Sequence, residues 1–341
     1  MRDELSKYRQ PIKGIAILLV MISHLFFLGI WGELYSIPLQ RVRQLCASGV
    51  DIFLILSAFG LYYSCRKNSN VLAFYKKRYL RLLPAPFIVF FVAYGSILAR
   101  FFSEGMPFYD LMSWFFHYLK GYLYGLWFLY LLLFLYTIFP IVFSYLNDAT
   151  TRGELKNRAL LLFMSTIIIP FLLIICAQDN GITDMYGTVM LSLYRVPIFF
   201  VGLYIVYEFG IIRYIYKSHA LFIISTILSY LSPPELQYIF FAFMALSALK
   251  YFVVICEKCK AFNIVFSFIG NFTLELYVVH MFIFTNISQY IQPNTFQILA
   301  VAFLSSFVFA VILQYLIKGI TQLYCKMTEF VTPRLNNSSN I

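Results

Sequence analysis

Apolar residues come in long runs along this chain, separated by short stretches that carry most of the polar and charged positions. A hydrocarbon core of about 30 Å is crossed by about 20 helical residues. The pattern predicts about ten membrane-spanning helices on that measure: Ile12–Trp31, Cys46–Ser64, Leu83–Phe102, Gly121–Leu146, Ala159–Ala177, Thr188–Tyr207, His219–Leu231, Gln237–Ile255, Phe262–Phe284 and Phe296–Ile317. The seventh is short and is ended by Pro233-Pro234. Ser113–Lys120, with Trp114, Phe115, Phe116 and Tyr118, reads as an interfacial segment before the fourth span, because aromatic rings favour the headgroup level.

Composition excludes the common soluble classes. Of the 341 residues, 61% are hydrophobic and 12% charged, where a soluble globular chain carries roughly 25% charged. A soluble enzyme, a disordered protein and a nucleic-acid binder are all ruled out. The net charge of +11 belongs first to cytoplasmic loops. With the N-terminus inside, the cytoplasmic segments collect most of the Lys and Arg, including Arg66, Lys67, Lys76, Lys77, Arg78 and Arg81 on one loop. The outer loops are short and lean acidic, with Glu33, Glu104, Asp110, Asp179, Asp184 and Glu235. The expectation is an all-α, polytopic inner-membrane protein with both termini cytoplasmic. Residues 1–341 form one domain, with no extramembrane stretch able to fold separately. The first apolar run lacks a small-residue exit site and is expected to remain as the first span.

Ionisable groups at membrane depth are costly and mark function by default. His24, Asp51, Arg195, Glu275 and His280 lie well inside predicted spans. At about 1.5 Å per residue, His24 is about 18 Å from the inner start of its span. On the same scale Asp51, Arg195 and His280 lie about 8, 10 and 6 Å below the outer surface. All four fall in the outer half, where one polar cluster would unite them; structural hydrogen bonds between helices are the plainer alternative.

Lys13 and His24 are eleven residues apart, or three turns plus about 20°. They therefore share one helical stripe, with a cation at the cytoplasmic mouth and an imidazole near the centre. That suits a long anionic ligand entering from the cytoplasm, although Lys13 would also serve as an ordinary positive-inside anchor. In the basic loop, Arg78 and Arg81 stand at i, i+3 and share a face. Guanidinium forks suit phosphate oxygens, and such a loop also sets topology.

Several motifs follow in order. Lys13-Gly14 precedes His24; Gly49-Val50-Asp51-Ile52-Phe53 leads to Ser57-Ala58-Phe59; Phe74, Arg78, Arg81 and Pro84 follow. Leu126-Trp127-Phe128-Leu129 opens a span ending at Pro140. Arg195, Phe199 and Gly202 come next, then Gly270 to Leu274-Glu275-Leu276-Tyr277-Val278-Val279-His280. From about Ile12 to Ile317 this order resembles the membrane acyltransferase-3 family, whose members O-acylate bacterial cell-surface carbohydrates. Lys13 stands where the family usually has Arg, and Ala58 where it has Gly.

The resemblance implies acetyl-CoA or another acyl-CoA as cytoplasmic donor and an extracytoplasmic sugar hydroxyl as acceptor. It implies Lys13, Arg78 and Arg81 on the donor and His24 as general base, with Asp51 orienting it, Arg195 stabilising the oxyanion and His280 contacting the acceptor or relaying a proton. Direct transfer and an acyl-His intermediate both remain open. Membrane lipids are the other expected partners; no metal and no nucleic acid are implied, and no residue speaks for a particular oligomeric state. Six scattered Cys read as reduced and structural, Cys256-x-x-Cys259 lacks a second ligand pair, and the Asn271-Phe272-Thr273 sequon lies inside a span. Trp31, Tyr35 and Tyr109 are candidates for an outer acceptor groove. A transporter or flippase for a lipid-linked sugar or small anion is the competing class; it usually shows inverted repeats, which are not evident. A membrane scaffold without chemistry is the third.

Overall fold

The computed structural model describes residues 2–28, 37–68, 70–105, 107–178, 184–207, 217–232, 234–290 and 295–337, and all regular structure among them is helical. In chain order the helices are α1 (Arg2–Lys7), α2 (Arg9–Ser23), a 3-10 turn (Leu25–Leu28), α3 (Ile37–Cys46), α4 (Gly49–Lys67), α5 (Val71–Leu82), α6 (Pro84–Glu104), α7 (Phe108–Gly125) and α8 (Trp127–Asn147). They continue with α9 (Arg152–Gln178), α10 (Asp184–Tyr207), α11 (His219–Leu231), α12 (Pro234–Lys258), α13 (Lys260–Gly270), α14 (Thr273–Tyr290) and α15 (Thr295–Asn337).

Four described stretches are long and apolar enough to cross a membrane: Gln40–Lys67, Trp127–Asn147, Gln237–Lys258 and Gln297–Leu323. Lys260–Gly270 with Thr273–Ile287 makes a fifth if a pair bent by 71° counts as one span. Large apolar side chains such as Phe91, Ile141 and Leu304 stand exposed on helix faces, as lipid-facing residues must.

Three expected spans are not continuous. The first is α-helical only to Ser23, turns at His24 and continues as the 3-10 segment; its expected end, Trp31, lies outside the described residues. The ninth breaks at Asn271-Phe272. The fourth starts at Trp127, because α7 runs through Ser113–Lys120 to Gly125 and the chain turns at Leu126. Lipid offers no hydrogen bonds to backbone freed at such points, and a polar side chain serves each one. Arg43 Nη1 donates to the Ser23 carbonyl at 2.7 Å. Gln314 Nε2 donates to the Asn271 carbonyl at 2.8 Å, and the Tyr277 hydroxyl donates to the Gly125 carbonyl at 3.2 Å.

Helix α2 is the hub, packing on α4 and α13 and also touching α3, α12 and α14. Its crossing with α13 is backbone against backbone. A Cβ on Gly14 would fall on the Phe266 carbonyl oxygen, and one on Gly270 on the Gln10 carbonyl oxygen. Two of the motif glycines are therefore reciprocal contact points of one helix crossing. Gly202 of α10 lies against α4 in the same way: a Cβ there would stand 2.9 Å from the Ile55 Cα and 3.1 Å from the Ala58 Cβ. The close α4–α10 contact is made possible by that glycine, which leaves room for Ala58.

Candidate active site

At one end of α2 is a basic cavity of about 950 Å³, at the upper end of the range of small-molecule sites. Lys13, Arg78 and Arg81 all line it, so the three residues expected to hold the donor converge on one space. Arg9, Lys67 and Lys77 join them, and no carboxylate is among the described lining residues. The cations come from α2, the end of α4 and α5. The Asn70 side chain accepts from the Ala73 amide at 3.0 Å and caps α5. The ring of Phe74 then buries against Phe139. This docking turns the face of α5 that carries Lys77, Arg78 and Arg81 toward the cavity. Arg78 Nη2 donates to the Gly60 carbonyl at 2.9 Å, and its guanidinium lies over the rings of Phe74 and Tyr136 at 5.5 and 5.6 Å. Burial above all, with the charge of Arg81 adding to it, draws Arg78 below the ordinary guanidinium value.

The opposite end of α2 carries His24, where the helix stops. Its Nδ1 lies 3.1 Å from Nε2 of His280, a fully buried side chain on α14. His280 Nδ1 lies 2.7 Å from the Leu276 carbonyl oxygen, which can only accept, so the His280 proton sits on Nδ1. Its Nε2 is then an acceptor and His24 Nδ1 the donor. In the neutral pair the lone pair of His24 is left on Nε2, the arrangement a general base requires.

An aromatic layer joins the two ends. Phe53, Phe128 and Tyr277 all line the cavity. Phe128 stands 6.0 Å from Phe53 and 5.5 Å from Tyr277, and Tyr277 stands 6.0 Å from His280, centroid to centroid. One side of Tyr277 thus faces the cavity and another the imidazole pair.

Asp51 and Arg195 meet each other rather than His24. Arg195 Nη1 donates to Asp51 Oδ2, and both side chains are almost fully buried. Arg195 also donates to the Ala47 carbonyl at 3.2 Å and lies over the rings of Tyr238 and Phe241 at 4.8 and 5.4 Å. The orienting place at His24 Nδ1, expected for the Asp51 carboxylate, is taken by His280. The cation whose charge bears on the His24 ring is Arg43 of α3. Neither Arg43 nor Arg9 carries a signal in hydropathy; only the fold of α3 and the first turn of α2 brings them in. Glu275, at the start of α14, is buried within electrostatic reach of Arg81 and Lys13. Tyr109 is exposed on α7, whereas Trp31 and Tyr35 lie outside the described residues. Cys46, Cys65, Cys256 and Cys259 carry free thiols.

A family model described as an acyltransferase domain matches residues 12–317. No curated protein and no solved structure matches the chain.

Proposed function

The chain belongs to the acyltransferase 3 family and is a membrane acyltransferase, and from that premise we propose that it carries an acetyl or other acyl group from cytoplasmic acyl-CoA to a hydroxyl of an extracytoplasmic cell-surface glycan. The observation that carries this reading is the pairing of a six-cation cavity with an imidazole dyad across one aromatic side chain, Tyr277. The distribution of Lys and Arg supports about ten spans in the inner membrane, with both termini and the cavity mouth on the cytoplasmic side. CoA carries a pyrophosphate and a 3′-phosphate, and a cavity with six cations and no carboxylate among its described lining residues suits both.

In this mechanism the CoA phosphates rest on Arg78, Arg81 and Lys13, and the pantetheine arm follows α2 past Phe128 and Tyr277. His24 Nε2 removes the proton of the acceptor hydroxyl as its oxygen attacks the thioester carbonyl. His280, fixed by the Leu276 carbonyl, holds the ring of His24 through the Nδ1–Nε2 bond. The tetrahedral intermediate collapses, the C–S bond breaks, and the proton on His24 Nε2 passes to the departing thiolate. The products are an O-acyl ester and CoA. Arg43 of α3, bonded to the Ser23 carbonyl at the end of α2, would be the cation that favours the oxyanion.

The test is release of CoA from labelled acetyl-CoA by purified protein, with transfer of label in intact cells, comparing wild type with His24→Ala at equal membrane levels. Loss of both in the variant is the expected result. Absence of label movement by wild type in both settings would refute the reading and leave transport as the working class.

A further inference from the structure

We propose that Arg9 is a phosphate-binding residue of the donor, paired with Arg78 in a guanidinium clamp built over Gly60. The proposal rests on the reading of the basic cavity as the acyl-CoA site and adds to it a residue outside the Lys13, Arg78 and Arg81 set. Gly60 lies on α4, facing the first turn of α2 and the inner face of α5. A Cβ at Gly60 would fall on Arg9 Nη2, with Cζ at 3.1 Å and Nη1 at 3.3 Å. Arg78 Nη2 donates to the carbonyl of the same residue at 2.9 Å. Guanidinium groups from α2 and α5 are thus both held at Gly60, and the charge of Arg78 bears on Arg9.

Like charges held together in a half-buried place repel, and no carboxylate among the described lining residues offsets them. Among the described residues, no acceptor meets the buried Nε–H groups of Arg9 and Arg78. A buried donor without an acceptor is costly. A phosphate monoester or pyrophosphate answers both demands, because its oxygens accept from Nε and Nη together and its charge offsets the pair. Lys13 is one helical turn from Arg9, on the same face, and supplies a point charge without a fork. The cavity then has the composition a multiply phosphorylated donor needs: a fork pair for one phosphate, with Lys13, Arg81, Lys67 and Lys77 around it.

An anionic lipid headgroup carries the same phosphate chemistry, so the experiment separates the two sources. CoA binding to full-length protein is measured by calorimetry in nanodiscs of phosphatidylcholine, with and without phosphatidylglycerol. Wild type is compared with Arg9→Gln, Arg9→Lys, Gly60→Ala and the Arg9→Gln/Gly60→Ala pair. The expected result is about 10- to 100-fold weaker CoA binding in Arg9→Gln, the size of one charge-assisted fork, with Arg9→Lys between. Gly60→Ala displaces the Arg9 guanidinium and weakens binding, but adds nothing further in the Arg9→Gln background. If Gly60→Ala does not fold, the Gln and Lys variants carry the test. CoA affinity in Arg9→Gln within twofold of wild type overturns the clamp while the donor reading stands. Arg9-dependent displacement of CoA by phosphatidylglycerol assigns the clamp to lipid and overturns it as well. No CoA binding by wild type in either disc overturns the donor reading itself, and the clamp with it.

Discussion

Removing one partner of the Asp51–Arg195 pair is expected to unfold the protein rather than to slow it selectively. The two side chains are 1% and 2% exposed and hydrogen-bonded to each other. Arg195 also closes the turn between α3 and α4 through the Ala47 carbonyl. Asp51→Ala leaves a guanidinium in an apolar junction of α4, α10 and α12 with, among the described residues, that carbonyl and the faces of Tyr238 and Phe241 as company. Stranding one member of a buried pair costs about 3–5 kcal/mol, whereas replacing both members with apolar residues of similar volume is often neutral or better. At about 1.4 kcal/mol per factor of ten, the single variant loses roughly a hundred- to several-thousand-fold in its folding equilibrium. The assay is thermal unfolding in detergent by intrinsic fluorescence, with CoA release measured on the folded fraction, for Asp51→Ala, Arg195→Met and Asp51→Leu/Arg195→Met. The expected outcome is a large loss of stability in each single variant and its recovery in the double variant, with specific activity retained. A double variant that folds as well as wild type yet releases no CoA would refute the structural assignment and return the pair to the chemistry.

The dyad predicts unequal outcomes at His280. In His280→Gln the amide oxygen still accepts from His24 Nδ1, so most of the transfer activity remains; His280→Phe lowers kcat about 10- to 100-fold, up to the lower end of what general-base assistance supplies because His24 itself is kept, and alters the pH profile of kcat without changing CoA affinity. Gly14→Val places a side chain against the backbone of Phe266; overpacking of about 1–3 kcal/mol or more follows, read as a lower unfolding temperature and less folded protein in the membrane fraction. Ala58→Gly, by contrast, changes that temperature little, since Gly202 already makes the α4–α10 contact possible.

Much of this protein is determined by local sequence alone. Long apolar runs with few charges fix lipid as the solvent and helix as the only spanning element, because unpaired backbone cannot be left in hydrocarbon. The eleven-residue spacing from Lys13 to His24 puts them on one stripe whatever surrounds it, and the structure places them at the cavity and at the imidazole pair. The i, i+3 spacing of Arg78 and Arg81 carries both to the same cavity for the same local reason. The breaks at Ser23 and Asn271 were not legible, since hydropathy runs through them and no proline marks them; they exist because Arg43 and Gln314, distant in sequence, take up the freed carbonyls. Partner choice was equally hidden. Asp51 and His24 lie at similar depths, and depth cannot say that Asp51 meets Arg195 while His24 meets His280. Nor can an arginine in the first turn of α2 announce that Gly60, on another helix, leaves room for it. Those pairings follow from which helices abut, and here that is decided at Gly14, Gly270 and Gly202, where the absence of a side chain lets backbones touch.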